Sequence, residues 1–207
     1  MILYTTVVYQ KALDHFKKYD PILHAAGMNV EPITLSIHPD PFMRLCRTII
    51  GQQLSVKAAS TIFSRFEKLF KKSINPQELL KLSKDKLRSA GMSFQKIKYL
   101  KDLAQKTLNK EINLHDLLNK SNEEVVLELV KVKGIGIWSA EMFLMFTLGR
   151  ADIFSYGDLG LQNAIKKLYK LKGKPTEKQM EKLTKKWAPY RTYAAMILWR
   201  SLDNEPK

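Results

Sequence analysis

The 207 residues predict an all-α protein of short helices, grouped as two lobes with a groove between them. Two observations carry the prediction. From residue 40 onward apolar side chains recur every three or four positions. Helix-start signals punctuate that pattern, and only the first nine residues read as a strand.

Residues 1–9 hold Val7, Val8 and neighbouring threonines, so strand and helix are both open there. The segment PFMRLCRTIIGQQLSVKAASTIFSRFEKLF spaces Phe42, Leu45, Ile49, Val56, Ile62, Phe66 and Leu69 along helical faces, with Gly51 as a break. Pro76 starts a short helix, and Gly91 separates it from FQKIKYLKDLAQKTL, where Phe94, Ile97, Leu100, Leu103 and Ala104 form one stripe. Ser121 and Glu124 have capping-box spacing ahead of VVLELV. A helix follows through WSAEMFLMFTL, and GRADIFSYGD interrupts it before LGLQNAIKKLYKL. Pro175 and Thr176, with a box to Gln179, open the next helix. Pro189 divides that helix from RTYAAMILWRSL. There is no repeat and no linker longer than a loop. Residues 1–39 are set apart as an N-terminal cap segment, and 40–207 as the helical domain.

Composition narrows the function. Lys and Arg number 35 against 20 Asp and Glu, a net charge of +15. That excess favours a polyanion partner, nucleic acid above all, over a plain lysine-rich surface. No apolar run reaches the ~20 residues of a membrane span, and MILYTTVVYQ lacks the features of a signal peptide. The lone Cys46 excludes an internal disulfide framework, a zinc ribbon and a four-cysteine iron–sulfur cluster. An intracellular protein without a membrane partner is expected.

The most informative segment is VKVKGIGIWSA, residues 130–140. A capped amphipathic helix enters it and an apolar helix leaves it. Gly134 and Gly136 flank Ile135, which can tuck between the two helices while the glycines permit a tight turn. They also let a second backbone approach, and the N–H groups opening the next helix point outward, a cradle for phosphate. A Gly-x-Gly in an ordinary helical turn would look the same. Lys131 and Lys133 beside it favour the phosphate reading.

At these residues the chain resembles the helix–hairpin–helix base-excision DNA glycosylases. VKGIGIWSAEMF is similar to their hairpin, placing the motif at about 121–149. ADIFSYGDLGLQ is similar to the loop carrying the family's invariant aspartate. DPFMRLCRTIIGQQLS and KKWAPYRTYAAMILWR are similar to the start of its DNA-contacting lobe and to its closing helix. Together the blocks point to the 3-methyladenine DNA glycosylase II branch and imply a two-lobed fold with a DNA-binding cleft. Two departures stand out. Lys133 replaces a frequent proline, and some forty N-terminal residues cannot contain the β-domain of longer relatives, so only a reduced cap is expected.

The resemblance implies a monofunctional enzyme that flips alkylated purines out of double-stranded DNA and hydrolyses the N-glycosidic bond. Bifunctional relatives carry a lysine two residues past the second glycine, where this chain has Trp138, so no lyase activity is expected. Asp158 matches the catalytic aspartate, and its bland reading is a helix N-cap. Asp152, the nearest competitor, is expected to order the loop. Trp138 and Trp199 match positions at the base pocket, joined by Leu159 and by Met142, which stands where some relatives have tyrosine. Each tryptophan could instead be core, the reading preferred for Trp187. Gln53 aligns with the residue that fills the gap left by the flipped base, with Leu54 as the adjacent choice. Ser139 joins Lys131, Lys133, Gly134 and Gly136 as DNA contacts. No cofactor is required for the chemistry. A monovalent cation, K+ or Na+, would be held by the carbonyls of Val130, Val132 and Ile135. A monomer in the nucleoid-bearing cytoplasm, or in the nucleus of a eukaryote, is expected. The competing readings are a non-catalytic hairpin DNA-binding protein and a glycosylase for oxidised purines.

Overall fold

A computed structural model describes residues 2–203, with side chains over 7–202. Helices are the regular elements among the described residues, with no strand among them. They divide into two compact units: residues up to Ile37 together with those from Gly149 onward, and His38–Leu148.

In the first unit, α1 (Ile2–Tyr19) and α2 (Pro21–Met28) pack with α10 (Leu159–Leu168), α11 (Glu177–Trp187) and α12 (Arg191–Asp203). The strand reading of residues 1–9 is thereby corrected. Tyr9, Ala12, Leu13 and Phe16 fall on one buried helical face, and that periodicity outweighs the β-branched composition of the first turns. Gly27 shows how closely α2 is held. A Cβ there would lie 2.6 Å from Leu13 and 3.0 Å from Ile197, so α2 is wedged between α1 and α12. The N-terminal segment thus shares a core with the C-terminal helices.

Buried Asp20, 4% exposed, fastens this unit. One oxygen caps α2 through the Leu23 N–H at 3.1 Å. The other accepts the Tyr169 hydroxyl at 2.7 Å and the Trp187 indole N–H at 2.8 Å. Trp187, read from sequence as core, is fully buried. Burial and the neighbouring carboxylate push the Tyr169 phenol far up, keeping it a donor. Asp20→Asn would face the indole N–H or the phenol with an amide that also donates. Melting curves should show a loss of about 2 kcal/mol, without change in the apolar core.

In the second unit, α3 (Pro41–Gly51), α5 (Pro76–Lys81) and α6 (Lys84–Ser89) pack on α7 (Phe94–Leu108), and α4 (Val56–Glu67) packs on α3. The paired α8 (Asn122–Leu129) and α9 (Ile137–Phe146) complete it, with α9 also against α3. Leu45, Ile49, Phe63, Phe66, Leu79 and Leu100 are fully or almost fully enclosed. Each contributes about 1.5–3 kcal/mol by leaving water. Cys46 sits among them, and burial pushes its thiol well up, so it acts as a small apolar side chain. Both expected capping boxes, Ser121–Glu124 and Thr176–Gln179, are formed. No helix of the described residues is long and apolar enough to cross a membrane.

Candidate active site and nucleic-acid interface

The first unit presents Asp158 from a loop that α12 holds rigid. Thr192 ties it down: its N–H donates to the Ala151 carbonyl at 2.9 Å, and its hydroxyl accepts the Ile153 N–H at 3.0 Å. Arg191 grips both oxygens of Asp152 at 2.6 and 2.7 Å. Burial would raise the Asp152 carboxyl, but hydrogen bonds from the Arg191 side chain and backbone outweigh it and hold the group below the usual carboxylate range. Asp152 is therefore spent on ordering the loop.

Asp158 is half-buried and is the N-cap of α10, as its bland reading expected. Its Oδ1 accepts the Leu161 N–H at 2.8 Å. The same oxygen accepts the Trp199 indole N–H at 3.0 Å, so the carboxylate is clamped from two sides. Gly160 makes the clamp fit. A Cβ there would sit 3.1 Å from that oxygen and 3.2 Å from the indole nitrogen. Leu159, beside the carboxylate, is 65% exposed.

The second unit carries the hairpin and an open groove of about 840 Å³. Between α8 and α9 the chain turns tightly, with the Ile135 N–H donating to the Val132 carbonyl at 3.1 Å and Ile135 buried as expected. The two glycines are needed for different reasons. Gly134 has φ +83°, and a Cβ on it would lie 2.1 Å from the Tyr99 ring, so both backbone and packing demand glycine. Gly136 has an ordinary extended backbone, and a Cβ on it would meet nothing within 4 Å. Its bareness serves nothing inside the protein. Gly136 caps α9 without a side-chain hydrogen bond, and the first turn of α9 has no acidic residue.

The groove gathers Gln53, Leu54, Gly134, Trp138, Ser139 and Met142. Trp138 is 48% exposed, whereas Ser139 is buried. Lys131 and Lys133 do not line it. Lys131 pairs with Glu128 at 3.0 Å and Lys133 with Asp102 at 3.5 Å. Such surface pairs are worth under ~1 kcal/mol, so either lysine can exchange its carboxylate for a phosphate.

Sequence reasoning missed Arg44, Arg47, Lys96 and Tyr99, which also line the groove. No acidic side chain lines it among the described residues. Burial, and then the adjacent Arg47, depresses Arg44, while Lys96 is lowered by burial and donates to the Ile50 carbonyl at 2.7 Å. The i, i+3 spacing of the two arginines, ending at Gly51, was the available signal.

A family model described as HhH-GPD superfamily base excision DNA repair protein matches residues 46–189. The chain belongs to that superfamily. Within the HhH-GPD superfamily it groups with 3-methyladenine DNA glycosylases. It is 33% identical to a putative DNA-3-methyladenine glycosylase of Bacillus subtilis, covering 94% of this chain and 69% of that one. It is 34% identical to an alkylbase DNA glycosidase-like protein of Schizosaccharomyces pombe, with 93% of each chain covered. Among solved structures, a DNA-3-methyladenine glycosidase from Bacillus halodurans superposes with TM-score 0.84 at 35% identity, covering 93% of this chain and 89% of that one. The Schizosaccharomyces pombe 3-methyladenine DNA glycosylase bound to abasic DNA gives 0.79 at 34% identity, with 92% and 95% covered. The all-α HhH-GPD fold expected from the sequence is the one observed.

Proposed function

We propose that this chain is a monofunctional DNA glycosylase, of the 3-methyladenine glycosylase II type, that removes alkylated purines from duplex DNA by hydrolysis. The observation that carries the reading is the Asp158 carboxylate, fixed by the Leu161 N–H and the Trp199 indole in a chain of this superfamily. An alkylated purine cation leaves with the pair of electrons of its C1′–N bond, so the departing base needs no proton. The sugar becomes oxocarbenium-like, and a preorganised carboxylate stabilises that charge without reorganising. Water then adds at C1′ and releases its proton to bulk solvent. Asp158 serves as the electrostatic stabiliser and orients that water.

The second unit's groove, lined by Trp138 and Met142, offers an indole face that attracts a cationic purine. The hairpin holds the backbone through Gly134, Gly136 and the opening N–H groups of α9. Trp138, in place of a lysine, leaves no amine there for a Schiff base. The Val130, Val132 and Ile135 carbonyls are hard, neutral oxygens of the kind a K+ or Na+ ion takes, and the Ile135 N–H fixes that of Val132. Bound there, the ion would add positive charge facing a phosphate. The chain works as a monomer.

Gln53 is the gap-filling residue in this reading. It is exposed and follows Gln52 in a turn closed by the Leu54 N–H on the Gly51 carbonyl at 3.2 Å. Its φ of +57° is left-handed, costly for a side chain other than glycine or asparagine. A strained, exposed side chain at a turn tip suits a wedge. Gln53→Gly should therefore raise stability by about 0.5–1 kcal/mol while slowing excision about tenfold. Melting and single-turnover assays measure both, and an unchanged excision rate would remove Gln53 from the mechanism.

The proposed activity is tested with duplexes holding single 3-methyladenine, 7-methylguanine, 1-methyladenine or hypoxanthine residues. Release of free base from an alkylpurine, with no borohydride-trapped adduct, is the expected result. DNA binding without base release would leave a non-catalytic hairpin protein, and a trapped adduct would point to lyase chemistry.

A further inference from the structure

The two hairpin lysines account for little of the +15 charge. A larger concentration lies in the first unit, where three helices end together. The last turn of α1 carries Lys17 and Lys18, that of α10 carries Lys166 and Lys167, and that of α11 carries Lys185 and Lys186. Asp20 draws the three ends to one place. Its N–H bonds the Phe16 carbonyl of α1, and its carboxylate holds Tyr169, the C-cap of α10, and Trp187, the last residue of α11. The Tyr169 and Trp187 rings are 6.5 Å apart, and the His15 ring reaches the Lys186 carbonyl at 2.8 Å. The six lysines are all exposed.

Lysines at helix C-termini ordinarily complement the helix dipole, but that accounts for too little here. Three converging ends carry about half a negative charge each. Asp14 and Glu181 lie four residues before Lys18 and Lys185 and can offset one lysine apiece. Lys17, Lys166 and Lys186 remain, with exposed Lys170 just past Tyr169. The surplus is positive and is presented by long flexible amines. That matches a regularly charged backbone read by charge alone.

We propose that this lysine cluster is a second DNA contact, binding duplex backbone phosphates independently of the lesion. The proposal rests on the reading that the chain acts on DNA. The cluster holds the protein on undamaged duplex and leaves the chemical step untouched.

The test compares the full chain with a variant carrying Lys17→Gln, Lys18→Gln, Lys166→Gln, Lys167→Gln, Lys185→Gln and Lys186→Gln. Binding to an undamaged duplex of about 30 base pairs is followed against salt, each lost phosphate contact lowering the log–log slope by about 0.9. The expected slope is smaller by about three, with affinity at low salt down more than tenfold and single-turnover excision at saturating enzyme unchanged. A charge-matched variant with Lys68, Lys71, Lys72, Lys81, Lys84 and Lys86 of the second unit changed to Gln should lose less than about one unit of slope. Changing the cluster to Arg should keep binding. Equal losses in the two Gln variants, or no loss in the first, would overturn the proposal. If the unaltered protein neither binds nor excises, the DNA reading itself has failed. If it does both and the cluster variant matches it, only the cluster has failed.

Discussion

Asp158→Asn should bind an alkylated duplex as the parent does and excise its base at least about a hundredfold more slowly. The substitution is informative because it separates the two jobs of this residue. Asparagine is as good an N-cap as aspartate, so its amide oxygen can still accept the Leu161 N–H and the Trp199 indole. The loop, pinned independently by Thr192 and by the Asp152–Arg191 pair, has no reason to move. Only the negative charge facing the sugar is lost. Single-turnover excision beside a melting curve checks both halves. Unchanged stability with near-normal excision would mean that Asp158 is a cap and nothing more.

The parts of this site that local sequence can encode were legible, and the parts made by long-range packing were not. The hairpin was readable because its glycines, flanking apolar residues and capping box lie within one short stretch. The cap role of Asp158 was readable from SYGDLG. The indole that shares its oxygen was not, because Trp199 is distant in sequence and only the packing of α12 against α10 brings it there. Gly160 is equally silent, since its missing side chain matters only once that indole is in place. In the fold, α2 escaped notice although Asp20-Pro21 is an N-cap followed by proline at the first helical position. The strand reading of residues 1–9 leaned on valine and threonine propensity. The buried stripe through Tyr9, Ala12, Leu13 and Phe16 continues past that window and decides the matter. Net charge announced a polyanion partner, but the convergence of the lysine-bearing ends of α1, α10 and α11 was silent, because it is made by long-range contacts to Asp20.

Trp199→Phe should slow excision roughly tenfold to a hundredfold, by the same factor for cationic and neutral bases. From sequence, Trp199 suggested a stacking face, which predicts a larger loss on 3-methyladenine than on hypoxanthine when the ring is removed. The structure gives the indole a task that stacking does not include, donating to Asp158 Oδ1 at 3.0 Å. A hydrogen bond to a charged group contributes about 1.5–3 kcal/mol, and losing it frees the carboxylate to rotate away from the sugar. Phenylalanine keeps an aromatic face and nearly the same volume but has no N–H, so it separates the two tasks. Excision rate constants for one cationic and one neutral substrate are measured, with DNA affinity and melting temperature as controls. A positioning role predicts equal loss on both substrates and unaltered affinity. A stacking role predicts that Phe is tolerated, and that Trp199→Ala penalises the cationic base selectively. Gly160→Ala supplies an independent check, because its methyl group would crowd the carboxylate oxygen together with the indole Nε1 and Cδ1. It should reproduce part of the Trp199→Phe loss. Full activity in both Trp199→Phe and Gly160→Ala would show that the indole–carboxylate bond carries no part of the catalysis.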